Sequence, residues 1–162
     1  MRLLLVCLGN ICRSPMAEGA LRARIEASPL KGRVQVDSAG TGGWHAGQPP
    51  DPRAIACARG HGVDIATLRA RRIDAEDFSR FDWILCADRD NLHDVGRRAP
   101  PAARQRLALW LPWAGVAGAE DLADPYTGGA RQFEQVWERV QQAAAGTVQR
   151  LSRAMASGII DA

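Results

Sequence analysis

At 162 residues, 46% of them hydrophobic and 24% charged, the chain fits one domain, 1–162, that can bury a core unaided; disordered and fibrous classes are excluded. The formal net charge of +3 rests on arginine, since Lys31 is the only lysine. No aromatic interleaving accompanies Arg69, Arg71, Arg72 or Arg97, Arg98, so these read as solvated faces, with recognition of an anionic substrate as the second reading, and nucleic acid is not an expected partner. Cys7, Cys12, Cys57 and Cys86 fit a reducing cytoplasm better than a disulfide framework. The opening apolar stretch is too short for a secretion signal, and no segment is long enough to insert in a membrane.

In chain order, the continuous apolar run Leu3 to Val6 predicts a strand buried on both faces of a parallel sheet. A loop should cover residues 8 to 13. A helix is expected from Ser14, with serine as its cap, Pro15 just inside and Glu18 in the early turns. Val34 to Ser38 reads as a second strand, followed by the glycine and proline loop SAGTGGWHAGQPPDP, of a length that is usually functional. Arg53 to Gly60 predicts a short helix with Ile55, Ala56 and Cys57 inward. Phe81 to Cys86 predicts a third strand, Arg89 to Arg97 a helix, and Leu107 to Leu111 a fourth strand. Phe133, Val136, Trp137, Val140, Ala144, Val148, Leu151 and Met155 recur at helical spacing on one face of a long last helix. The alternation argues for an α/β fold, a four-stranded parallel sheet flanked by helices on both faces, flavodoxin-like or Rossmann-like. Ligands of such sheets sit beyond the carboxyl ends of the strands, where the 8 to 13 loop lies.

A glycine-containing loop between a strand and a helix N-terminus aims backbone N–H groups at one point, and the helix end adds partial positive charge. Such a point binds an oxyanion. The nucleotide-binding patterns G-x-x-x-x-G-K-[ST] and G-x-G-x-x-G are both absent. At the loop's mouth stands Cys7, and the amides, the helix dipole and Arg13 all favour a thiolate there, making it a nucleophile. Arg13 can hold two phosphoryl oxygens with its planar fork. Gly9 allows close approach and Asn10 tolerates positive φ.

Expulsion of a leaving oxygen calls for an acid, which the loop lacks. Asp124 in ADPYTGG is the candidate, with Glu120 and Asp121 as rival carboxylates. Trp44 in the long loop and Tyr126 after Asp124 are informative because aromatic residues are few. His45, His61 and His93 are dispersed, and only the spacing of Cys57 and His61 hints at a metal; no metal or cofactor is expected, and His61 reads as a helix-end residue.

CLGNICRSPMAEG at Cys7 to Gly19 resembles the signature of the low-molecular-weight protein tyrosine phosphatases. The resemblance continues through VDSAGTGGWHAGQPPDPRA, FDWILCADRDNL and DPYTGG. It implies a cytoplasmic, redox-sensitive hydrolase of protein phosphotyrosine. In that reading Cys7 is nucleophile, Arg13 phosphate clamp and Asp124 general acid and base. Leu8, Gly9, Asn10, Ile11, Cys12 and Ser14 cradle the phosphate, and Trp44 and Tyr126 wall the phenyl ring. Asn10 and Ser38 would hydrogen-bond the loop into shape, and Cys12 would pair reversibly with Cys7 on oxidation. Thr127 stands where family members often carry a second aromatic residue. Ile11 stands where the similar arginine phosphatases generally place threonine, and no downstream cysteine suits an arsenate reductase. The expected partner is a phosphotyrosine protein, a tyrosine kinase among the possibilities, acted on by a monomer. The alternatives are an arginine phosphatase and an oxyanion-binding module without turnover.

Overall fold

Arg2–Cys7 forms strand β1 in a computed structural model that describes residues 1–158, and Leu3 to Val6 are buried on both faces as the apolar run requires. Leu3 and Leu5 enter one apolar cluster while Leu4 and Val6 enter another, the two-residue period of a strand feeding two cores. The sheet is completed by β2 (Gln35–Gly40), β3 (Trp83–Cys86) and β4 (Leu107–Leu109), all parallel, in the order β2-β1-β3-β4.

Helices α1 (Arg13–Glu26), α2 (Pro52–Gly60), α5 (Trp110–Trp113) and α6 (Ala130–Ala156) supply Met16, Ala54, Trp110 and Phe133 to the Leu3 and Leu5 side. The short α3 (Asp77–Arg80), α4 (Arg89–Arg98) and the 3-10 turn Pro101–Arg106 supply Phe78, Val95 and Ala103 to the other. From β1 the chain goes to β2 on one side and later to β3 on the other. The end of β1 therefore sits at the point where the connections diverge, the crevice where sheets of this class bind ligands.

Three expectations need correction. The fourth strand stops at Leu109, because its partner β3 ends at Cys86, which pairs with Leu109, and Pro112 cannot donate to a ladder. The chain turns into α5 instead, and the buried Trp110 indole N–H donates to Thr147 Oγ1 on α6 at 3.0 Å. In α2, Ala54, Cys57 and Ala58 are buried and Ala56 is exposed; three successive helical residues span too wide an arc to face one core. The first helix begins at Arg13, with Cys12 at the cap position and no side-chain cap, so Ser14 is not the cap.

Beyond β2, Gly40 is bound on both sides by the segment after Ala70: its N–H donates to Arg71 O at 2.8 Å, and Ile73 N–H donates to its carbonyl at 2.9 Å. A Cβ at Gly40 would lie 2.8 Å from Leu8 O and 3.1 Å from the Gly9 carbonyl carbon, so only glycine lets the 8 to 12 loop settle there.

Candidate active site

Residues 8 to 12 link β1 to α1 in a tight turn that needs Asn10 at φ 56°, the one positive φ among non-glycine residues described. The turn brings Asn10 N–H within 3.3 Å of Cys7 Sγ, and Ser14 Oγ lies 3.0 Å from the same sulfur. Ser14 Oγ accepts from Asn10 Nδ2 at 2.8 Å, which leaves the serine proton free to point at the sulfur. The helix start thus spends its serine on Cys7 rather than on a cap.

Asn10 Nδ2 also donates to Ser38 Oγ at 2.9 Å, and Asn10 Oδ1 accepts from Arg71 N–H at 2.9 Å. Ser38 in turn donates to the buried Glu18 carboxylate at 2.5 Å, and Arg22 pairs with Glu18 at 2.7 Å. A hydrogen-bonded chain therefore links Arg22 to Cys7 through Glu18, Ser38, Asn10 and Ser14, with the Glu18 carboxylate accepting from Arg22 and Ser38 and Asn10 Nδ2 donating to both serines. Burial raises the pKa of Glu18, against the pull of Ser38 and Arg22.

Arg13 is 3% exposed. Its Nη1 donates to Asp88 Oδ2 at 2.6 Å and to Leu122 O at 2.9 Å, and Nη2 reaches Asp124 Oδ2 at 3.4 Å. Burial alone would pull this guanidinium's pKa down, but the facing Cys7, Asp88 and Asp124 more than offset it and hold Arg13 above its ordinary value. Asp88 is itself fixed, since Asn91 N–H donates to it at 2.7 Å at the start of α4.

These groups surround a cavity of about 150 Å³ lined by Cys7, Leu8, Gly9, Ile11, Cys12, Arg13, Trp44, His45, Asp124 and Tyr126. Leu8, Trp44 and Tyr126 are the exposed large hydrophobics among the described residues, and all three stand at this mouth. Asn10 and Ser14 do not line the cavity; both are buried beneath it, against Cys7. The rival carboxylates are turned elsewhere, since Asp121 accepts from Arg89 N–H at 3.1 Å and Glu120 pairs with the Arg89 side chain. A larger open groove of about 880 Å³ between α1 and α6 contains no cysteine, histidine or carboxylate.

The arrangement is a cysteine sulfur under oriented donors, a buried cation beside it and a carboxylate across the opening. A family model described as "Low molecular weight phosphotyrosine protein phosphatase" matches residues 2–157. The chain belongs to this family. The low molecular weight protein-tyrosine-phosphatase of Streptomyces coelicolor is 44% identical over 150 residues, 90% of each chain. The protein tyrosine phosphatase of Entamoeba histolytica, solved with Hepes in the active site, superposes with a TM-score of 0.91 at 32% identity over 96% of this chain and 99% of that one. Wzb of Vibrio vulnificus, solved in complex with benzylphosphonate, gives a TM-score of 0.81 at 27% identity, covering 92% and 97%.

In this phosphatase domain the structure adds residues that the motif reading passed over. Asp88 anchors Arg13, and its position directly after β3, which neighbours β1, was available as a clue. Arg71 is no solvated residue: it pairs with Asp37 and with buried Asp77, each at 2.9 Å, while its own N–H holds Asn10. Arg53 of α2 binds Asp51 and donates to Gly128 O and Tyr126 O at 2.9 Å, tying the Asp124 loop to the helix. Nothing local to these arginines in the sequence reveals partners so distant.

Away from the mouth, Cys57 Sγ donates to Glu134 Oε1 at 3.4 Å, His61 Nε2 lies 2.7 Å from Glu134 Oε2, and His61 stacks on Trp137. This set joins α2 to α6, consistent with the helix-end role expected of His61. Burial, then Glu134, pushes the Cys57 thiol up to about 12, and burial lifts Cys86 further still. All four cysteines are free, and no helix among the described residues is long and apolar enough to cross a membrane.

Proposed function

We propose that the chain hydrolyses protein phosphotyrosine in two steps through a phosphocysteine at Cys7. The observation that carries this reading is the convergence on one cavity of Cys7, Arg13 and Asp124, with Asp124 alone of the neighbouring carboxylates facing it. In the first step Cys7 sulfur attacks phosphorus while Asp124, protonated, gives its proton to the departing phenolic oxygen. In the second, the Asp124 carboxylate takes a proton from the water whose oxygen attacks phosphorus, the sulfur leaves as thiolate, and inorganic phosphate is released.

Loop amides and the free edge of Arg13 carry the equatorial charge in both steps. Arg13 Nη1 is already committed to Asp88 and Leu122 O, which fixes the plane of the fork before substrate arrives. Leu8, Trp44 and Tyr126 form apolar walls suited to a phenyl ring, and Ile11 adds aliphatic bulk to the lining.

The substrates in this reading are phosphotyrosine proteins of the cytoplasm, a tyrosine kinase among them. Hydrolysis of p-nitrophenyl phosphate, abolished by C7S, separates an enzyme from an oxyanion-binding module. Faster turnover of phosphotyrosine than of phosphoarginine peptides is expected; the reverse order would assign the arginine activity instead.

A further inference from the structure

Beside the catalytic cavity lies a second, of about 270 Å³, lined by Leu8, Thr41, Gly42, Gly43, Trp44, Arg72, Asp94 and Arg98. Leu8 and Trp44 belong to both cavities and so form the partition between them. Its cationic walls come from different elements. Arg72 lies between Arg71 and Ile73, whose backbone bonds to Gly40 hold the segment, and its Nε donates to Thr41 O at 3.3 Å. Arg98 closes α4, where the helix dipole favours a cation.

Among the described residues neither arginine enters an ion pair, although Arg13, Arg53 and Arg71 all do. Asp94 is the cavity's one carboxylate, so the lining carries a net charge of one positive unit.

We infer that Arg72 and Arg98 form a second anion subsite, which receives an acidic group of the substrate on the far side of Leu8 and Trp44 from the phosphotyrosine. The inference rests on the phosphotyrosine reading and deepens it: the favoured substrate is a phosphotyrosine flanked by another anion, either a carboxylate or a second phosphate. Guanidinium forks suit both, and among the described residues neither of these two has an ion-pair partner to surrender first. The contact is made by the substrate's backbone-linked neighbour rather than by the reacting phosphate, so it acts mainly through KM and weakens as salt screens it.

The test uses phosphotyrosine peptides in which aspartate, or a second phosphotyrosine, is walked through the flanking positions, against all-alanine peptides. The readout is kcat/KM for each peptide divided by that for p-nitrophenyl phosphate in the same variant, so that a general loss of folding or chemistry cancels. Wild type is expected to prefer peptides anionic at one register about tenfold, in KM, as a charge-assisted contact would give. R72A/R98A should abolish the preference, D94N should enlarge it, and added salt should shrink it. A gain with either anion supports the subsite, and the larger gain names the source. Equal rates for anionic and alanine peptides, or a preference unchanged in R72A/R98A, would overturn it while leaving the phosphatase reading intact. Absence of p-nitrophenyl phosphate hydrolysis would overturn both.

Discussion

Asp124 and Asp121, three residues apart on one loop, face opposite ways: Asp124 Oδ2 lies 3.4 Å from Arg13 Nη2, and Asp121 Oδ1 accepts from Arg89 N–H at 3.1 Å. Pro125 follows Asp124 and Tyr126 N–H donates back to Asp124 Oδ1 at 3.1 Å, a turn that holds the carboxylate toward the opening. D124A should lower kcat for p-nitrophenyl phosphate by about 10²–10⁴, the range of a lost general acid. D121A should lose only a surface hydrogen bond and keep its kcat. Steady-state kinetics on the pair decides, and equal losses would remove Asp124 from its role.

Asp88 supports Arg13 from behind, through a nearly dry ion pair. Removing one partner of such a pair strands the other charge, at about 3 kcal/mol. D88A is therefore expected to lower the urea midpoint and also to raise KM for p-nitrophenyl phosphate, because the guanidinium loses its fixed plane. A variant with lowered stability and an unchanged KM would confine Asp88 to folding.

Glu18 gives the protein a pH dependence of definite sign. Burial raises its native pKa above the unfolded value, so the native state binds the proton more tightly than the unfolded chain. The stability it contributes is complete below the unfolded pKa and is lost as pH rises through the native one. E18Q cannot lose a proton there. Its unfolding free energy, compared with that of wild type by urea titration, should improve from pH about 4 to pH about 7. A difference independent of pH would show that Glu18 titrates as it does in the unfolded chain.

Cys7 and Cys12 line the same cavity, and burial holds the Cys12 thiol up at about 12, so Cys12 is not the site of first oxidation. Peroxide should oxidise the Cys7 sulfur to a sulfenic acid; the Cys12 sulfur then attacks the Cys7 sulfur and expels its hydroxyl as water, giving a disulfide that dithiothreitol reduces. Activity after peroxide should return with dithiothreitol in wild type and fail to return in C12S. Equal recovery in both would remove Cys12 from the protective step.

Much of the architecture was legible because its causes are local. The Leu3 to Val6 run, the turn residues Gly9 and Asn10, and the helical spacing from Phe133 to Met155 each dictate their element within a few residues. The stop of β4 at Leu109 was less visible, since it depends on where β3 ends and on the Trp110 bond to α6. The Ser14 reading failed for an instructive reason: cap preference is a statement about a helix alone, and here the sulfur of Cys7 competes for the hydroxyl. Asp88, Arg53 and Arg71 act on groups that are 75, 75 and 61 residues away along the chain, at Arg13, Gly128 and Asn10, which no sequence period encodes.

The central claim is that the phosphoryl group passes through Cys7 sulfur, and trapping it there tests the claim most directly. D124A, slow to hydrolyse the intermediate, would be mixed with p-nitrophenyl phosphate, quenched rapidly and mapped by mass spectrometry. The account predicts one phosphoryl adduct on the peptide carrying Cys7 and none in D124A/C7S. A phosphoryl group on another residue, or turnover by C7S with no adduct at position 7, would contradict it.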